Sequence, residues 1–330
     1  MEKKMIFTGK KAVSLEEFEL GAPEANQVCV RTVVSLISTG TETIAYNRAF
    51  DPGTHWDNYI KYPFTPGYST VGRVEAVGSD VSAVARGDLV ALKRPHASAH
   101  MVCEDQCMPI PESMSPEQAA WFALAKITFM GAKAAQYDLG DRVLIIGAGP
   151  IGQLSVRWAR AAGAETVVAV DLVEERLKFA TDGGASHVFG KTPLDCLDEI
   201  KEACGGEQPD IVMDTTGNPR AFPQALQAVR KFGTVVLLGD TGSPASQHLT
   251  PDVVLRGVTI RGAHDTHVTE RWSMQNIHRL FTSLVTSGRF NVDGLTTHTF
   301  TPEECEKAFE FATEQRGSTM GILFNWNGEG

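Results

Sequence analysis

Arg142-Val-Leu-Ile-Ile-Gly147-Ala-Gly-Pro-Ile-Gly152 is the stretch on which the fold turns. Five residues ending in a continuous apolar run predict a strand buried on both faces, which is the habit of a parallel sheet. A glycine turn follows at once, and Pro150 and Ile151 open a helical pattern running to about residue 162. Each glycine has a job in such a turn. Gly147 permits the tight reversal, Gly149 lets the backbone approach a pyrophosphate, and Gly152 allows close helix–strand packing. The helix N-terminus then offers unpaired N–H groups and partial positive charge to phosphates.

Reading outward, a second strand at 166–170 ends at Asp171, which lies 171 − 152 = 19 residues past the last glycine. That is the spacing of an acid that binds ribose hydroxyls, and a carboxylate there repels the 2′-phosphate of NADP, so NAD is the expected cofactor. No arginine directly follows it. Arg176 lies nearby and is carried as a cofactor-side candidate, although a solvated helix face would also account for it. Further strands near 211–213, 234–238 and 259–261 alternate with helices, implying an open, doubly wound sheet. Asp214-Thr-Thr-Gly217 and Leu238-Gly-Asp240 end two of them on the cofactor side, which makes Thr215, Gly217 and Gly239 candidates for a close approach by nicotinamide.

Before this unit the pattern is different. Runs at 28–34, 70–77, 89–92 and 97–102 are broken by Asp51-Pro-Gly53 and Pro66-Gly67, as in an irregular β-barrel. Ser115-Pro-Glu117 is a helix start, and the helix is expected to reach about Gln136 with an interruption near 127–128. After about residue 265 the chain returns to mixed helix and short strand. The resulting division is 1–114 with 266–330 as a substrate domain, and 115–265 as the dinucleotide-binding domain.

The 330 residues carry 30 basic and 40 acidic side chains, a net charge of −10. With no long basic block, a nucleic-acid or anionic-membrane partner is not expected. No apolar stretch reaches the roughly 18 residues of a membrane span. Six scattered cysteines form no CxxC pair, which suits reduced thiols in a cytoplasm.

These features together resemble the medium-chain dehydrogenase/reductase superfamily over nearly the whole chain. Gly72-Arg-Val-Glu-Ala-Val-Gly78, Ala169-Val-Asp-Leu-Val-Glu-Glu-Arg176 and Thr259-Ile-Arg-Gly262 are similar to its polyol and threonine dehydrogenase-like branch. The resemblance implies a GroES-like barrel, a Rossmann domain, a cleft between them, and a homodimer or homotetramer. Zinc-dependent members carry Cys-Gly-Thr-Asp and Gly-His-Glu phrases and a third ligand in the helix before the Rossmann strand. This chain has Ser38-Thr-Gly-Thr-Glu42, Gly67-Tyr-Ser69 and Ala123-Leu-Ala125 at those places, and it lacks the four-cysteine lobe. A catalytic zinc needs about three nitrogen, sulfur or carboxylate ligands, so no metal is expected. Glu42, His55 and His96 are the remaining donors for an unrelated site. The Ser-Thr-Gly-Thr-Glu phrase resembles a zinc-free branch that includes bacteriochlorophyllide dehydrogenase-like proteins and relatives acting on sugars or cyclitols.

Without zinc, a side chain must take the alcohol proton or stabilise the developing alkoxide. Lys126 is the first candidate, because a charge is unexpected within Trp121-Phe-Ala-Leu-Ala-Lys-Ile-Thr128 and desolvation would lower its pKa. Tyr68 replaces the zinc histidine, and Thr41 matches the proton-relay hydroxyl of relatives. His96 and His267 lie where relatives approach substrate or nicotinamide, and Thr128 matches a nicotinamide contact. The expected activity is NAD-linked, zinc-independent oxidation of a secondary alcohol of a small sugar, cyclitol or polyol. A zinc-free enone or quinone reductase and a catalytically silent dinucleotide-binding sensor are the other readings.

Overall fold

The computed structural model describes residues 1–327. A hairpin of β1 (Glu2–Gly9) and β2 (Ala12–Phe18) opens the chain. The eleven-residue β3 (Gln27–Ile37) is the spine of the first sheet, because it pairs antiparallel with both β4 (Thr70–Val77) and β6 (Ala99–Cys103). The sheet continues from β4 to β5 (Leu89–Leu92), and β7 (Met108–Pro109) adds to β5. Between β3 and β4 lie two short helices, α1 (Thr41–Asn47) and α2 (His55–Tyr59). Thr54 caps α2 by accepting the Asp57 N–H. Tyr46 and Trp56 from these helices pack with Met5, Phe7 and Ile60, sealing one end of the sheet.

Ser115 caps α3 (Pro116–Ala120) as expected, accepting the N–H of Gln118. The helix break falls at Trp121, not near residues 127–128. Trp121 is buried and its indole N–H donates to Thr296, which turns the chain, and α4 (Phe122–Ala135) then runs through Ile127 and Thr128 uninterrupted. The Thr128 hydroxyl bonds back to the carbonyls of Leu124 and Ala125 within this helix.

The second sheet is wholly parallel. It contains β8 (Arg142–Ile146), β9 (Thr166–Val170), β10 (His187–Phe189), β11 (Ile211–Asp214), β12 (Thr234–Leu237) and β13 (Thr259–Gly262), in the spatial order β10-β9-β8-β11-β12-β13. Successive strands step one way from β8 and then, after β10, cross to its other side. This reversal leaves a crevice beyond the carboxyl ends of β8 and β11, the place where such sheets bind ligands. α5 (Pro150–Ala162) follows β8, and α6 (Glu174–Asp182) follows β9. Trp158 of α5 donates its indole N–H to Ala125 of α4 at 3.0 Å, tying this unit to the preceding helix.

The last strands, β14 (Thr296–Phe300) and β15 (Gly321–Asn325), rejoin the first sheet, with β15 antiparallel to β3. The polypeptide therefore leaves the first sheet, builds the second and comes back to the first. No helix among the described residues is long and apolar enough to cross a membrane, and all six cysteines are free.

Candidate active site in the interdomain cleft

The crevice half of the site is built around Gly147. Its φ of +88° suits glycine, and its N–H donates to Val170, joining β8's turn to β9. A Cβ on Gly152 would lie 1.9 Å from the Gly147 carbonyl oxygen, so only glycine lets α5 start this close to the strand. Gly149 is the N-cap of α5 and brings no side chain to cap it, which leaves the first helical N–H groups facing the crevice with Pro150 behind them. Asp171 holds the far side. Its Oδ2 accepts the Ala148 N–H at 2.7 Å and its Oδ1 accepts the Val173 N–H at 2.9 Å. Arg176 comes within 3.6 Å of the same carboxylate, so it faces the crevice rather than standing as a solvated lysine-like side chain. These residues fit a dinucleotide: a glycine cradle, a helix N-terminus and an acid at the end of the next strand.

Four sequence candidates have other roles. The Thr215 hydroxyl donates to the carbonyls of Ile146 and Gly147, clamping the turn shut. Gly217 and Gly239 let two loops stack, since a Cβ on Gly239 would meet the Gly217 nitrogen at 2.3 Å. Thr128 is fully buried with its hydroxyl turned into its own helix, so it has no free donor for nicotinamide. Arg316, which sequence reasoning missed, comes from the returning segment. Its carbonyl accepts from Arg176 and its guanidinium donates to Thr43 of α1 at 3.2 Å. Burial, with Arg176 nearby, pushes its pKa down.

The substrate-side half centres on Tyr68. Its hydroxyl donates to Ser38 and lies 3.4 Å from the Thr41 hydroxyl, so two of the sequence candidates meet. Burial pushes the phenol well above its ordinary range, and the two hydroxyls offset this only in part. Behind Ser38 the polar chain continues inward. The Ser38 N–H donates to Glu42 at 2.8 Å, and the other Glu42 oxygen lies 2.9 Å from His96 Nε2. His96 Nδ1 lies 2.7 Å from Ser35, which also accepts from the Trp326 indole. His96 has no exposed surface, so the expectation that it works in the cleft is corrected. It supports the turn that carries Ser38 and Thr41.

Lys126 is buried, as its apolar phrase suggested, but it is not free. Its ammonium donates to the Asp265 carboxylate and, at 2.8 Å, to the Asp265 carbonyl. Lys93 binds the other Asp265 oxygen. Burial pushes the Lys126 pKa down while Asp265 holds it up. The net shift is downward, as desolvation led one to expect, and the bonds to Asp265 hold the ammonium in one position. His267 contacts the backbone of His264 in an exposed turn. His55 lies 2.7 Å from Asp240, an ion-pair distance that spans the cleft, and the Asp51 N–H donates to Gly242 beside it.

Zinc does not fit here. At two of the expected ligand places Ser38 and Tyr68 present hydroxyls bonded to one another, the third place is the apolar Ala123-Leu-Ala125, and both Glu42 oxygens are engaged by Ser38 and His96. His55 is engaged by Asp240 instead of joining them. Among the described residues no group of three His, Cys, Asp or Glu side chains could hold a metal ion.

Known proteins share this plan. Residues 24–116 match the alcohol dehydrogenase GroES-like domain, and residues 150–281 match the zinc-binding dehydrogenase family. An L-threonine 3-dehydrogenase of Symbiobacterium thermophilum is 32% identical over 251 residues, covering 66% of this chain and 71% of that protein. Its counterpart from Bacillus licheniformis is 26% identical over 346 residues, covering 92% of each. Among solved structures, 2R,3R-butanediol dehydrogenase from Bacillus subtilis superposes with a TM-score of 0.82 at 22% identity, over 98% of this chain and 99% of that one. Galactitol-1-phosphate dehydrogenase from Escherichia coli gives a TM-score of 0.82 at 21% identity with the same coverage. With its dinucleotide crevice, its GroES-like domain and these relatives, the chain belongs to the medium-chain dehydrogenase/reductase superfamily, as an oxidoreductase of the alcohol dehydrogenase kind.

Proposed function

We propose that this protein is an NAD-linked dehydrogenase that oxidises a secondary alcohol of a small sugar, cyclitol or polyol without zinc. The observation that carries the reading is the Tyr68 hydroxyl, bonded to Ser38 and Thr41 where metal-dependent relatives keep ligands. In this reading residues 115–265 supply the dinucleotide half, and 1–114 with 266–330 the substrate half.

Gly147, Gly149 and the α5 N-terminus would hold the pyrophosphate, with Asp171 and Arg176 at the adenosine ribose and Arg316 reaching across from the returning segment. When bound, the nicotinamide accepts hydride from the alcohol carbon. The chain must manage the proton. Because burial keeps Tyr68 neutral, it acts as a hydrogen-bond donor rather than as a phenolate base, and turning its one proton to the substrate oxygen means giving up the bond to Ser38. The alcohol proton leaves to solvent, and Ser38 and Thr41, whose hydroxyls both accept and donate, relay it past the ring. Lys126 contributes fixed positive charge, held in place by Asp265.

Asp171 supports NAD over NADP, although Arg176 beside it softens the repulsion of a 2′-phosphate. A second copy of the chain is supported by β13, which ends its sheet, with Val254 and Leu255 exposed close by in sequence. Light scattering on the purified protein reads that state directly. The free cysteines support a cytoplasmic setting.

The deciding experiment is NADH formation at 340 nm by chelator-treated protein against a panel of polyols, sugars and cyclitols, with NADP in parallel. Turnover that survives chelation upholds the proposal. Activity lost to the chelator and restored by zinc overturns it.

A further inference from the structure

Resting on that reading, we infer that Lys93 and Lys126 form an anion-recognising subsite, so that the favoured alcohol also carries a carboxylate or a phosphate. Three elements meet here: the end of β5, the middle of α4 and the turn after β13. Two ammonium groups offer six N–H donors between them. Asp265 takes two from Lys126 and one from Lys93, which leaves three without a protein acceptor in the bonds formed. The cluster's formal charge is two minus one, a surplus of +1 in a chain whose net charge is −10.

The surplus is placed to be used. Side-chain exposure rises from 5% at Lys126 through 17% at Asp265 to 36% at Lys93, so the positive pair opens outward from a buried end. The recess beside it, lined by Lys93, Lys126, Phe122 and Met274, is too tight to take in an anion whole, so the anion meets the pair at its exposed Lys93 end. Apolar walls strengthen a charge's pull on an anion. The pocket also includes Ser69 and Thr70, the residues that follow Tyr68 in the chain, and the charge of Asp265 bears on the Tyr68 hydroxyl. In this proposal the anionic group held by Lys93 and the hydroxyl presented to Tyr68 belong to one substrate. Asp265 offsets part of the burial that lowers the Lys126 pKa, and it orders both ammoniums.

The test compares sorbitol, D-gluconate and sorbitol 6-phosphate in initial rates with NAD, and in calorimetric titrations of the protein–NADH complex. The expected result is a kcat/KM at least tenfold higher for one or both anionic compounds, carried by KM. Lys93→Gln should abolish that preference while leaving turnover of sorbitol within about twofold, and Lys93→Arg should retain it. Which compound gains distinguishes carboxylate from phosphate recognition. Equal kcat/KM for all three, or a preference that survives Lys93→Gln, overturns the inference and leaves the dehydrogenase reading intact. If none is turned over, the dehydrogenase reading loses its support and the calorimetry decides. Gluconate or sorbitol 6-phosphate binding to the wild type but not to Lys93→Gln upholds the subsite, and binding to neither overturns it.

Discussion

His96 Nε2 lies 2.9 Å from the Glu42 carboxylate, and neither side chain reaches solvent beyond 2%. The same carboxylate receives the Ser38 N–H, so the buried pair fixes the turn on which the Tyr68 partners sit. Glu42→Ala leaves both the Ser38 N–H and His96 without that acceptor. Each orphaned buried group costs about 1–3 kcal/mol, so a loss of about 3 kcal/mol is expected in urea unfolding. Glu42→Gln can still accept from Ser38 and should lose less. A variant as stable as wild type would show that the chain of contacts does not support the turn.

Tyr68→Phe removes one hydroxyl and leaves the ring packed in place. Loss of a positioned donor to a developing oxyanion costs on the order of 10²-fold in kcat. Thermal stability should change little. The pH profile gives a second readout, because a phenol raised by burial stays protonated through the range in which an ordinary tyrosine ionises. Wild-type kcat should therefore show no fall at about pH 10 attributable to Tyr68.

Asp171 joins the glycine turn to the ribose side by accepting from Ala148 and Val173. Asp171→Asn keeps an acceptor but removes the charge, leaving Arg176 unopposed. The ratio of kcat/KM for NADP to that for NAD should rise by at least tenfold. An unchanged ratio would mean that the carboxylate does not choose the cofactor.

The sequence made the crevice legible because its parts are local. Gly147 to Asp171 spans one strand, one helix and the next strand, and each glycine is required by its immediate neighbours. The substrate side was harder to read. Tyr68 and Thr41 could be set together through the resemblance, but the partners that decide what Lys126 and His96 do lie far along the chain. Lys126 meets Asp265 at a separation of 139 positions, and His96 meets Glu42 at one of 54. Nothing in an apolar phrase around a lysine tells whether its ammonium is free or matched. Thr128 misled for the opposite reason. Its identity matched a cofactor contact, yet a helical threonine can satisfy itself on its own backbone, and here it does.

Acid should weaken the fold through His278. This residue of the helix Met274–Thr286 is buried with its ring edge-on to Phe122 at 4.8 Å, and its Nε2 has no partner. Burial pushes its pKa down from 6.5 to about 4. Between those values the unfolded chain binds a proton that the folded chain refuses, so stability is full above about pH 6.5 and declines as pH falls towards 4. A depression of this size is worth on the order of 3 kcal/mol. His100, held down to about 3 by burial, adds to the same slope, so the informative quantity is a difference between proteins. His278→Leu should lose less stability than wild type on passing from pH 7 to pH 4, by about 3 kcal/mol in denaturant midpoints taken at each pH. Parallel curves would mean that His278 gains a proton partner in the folded protein.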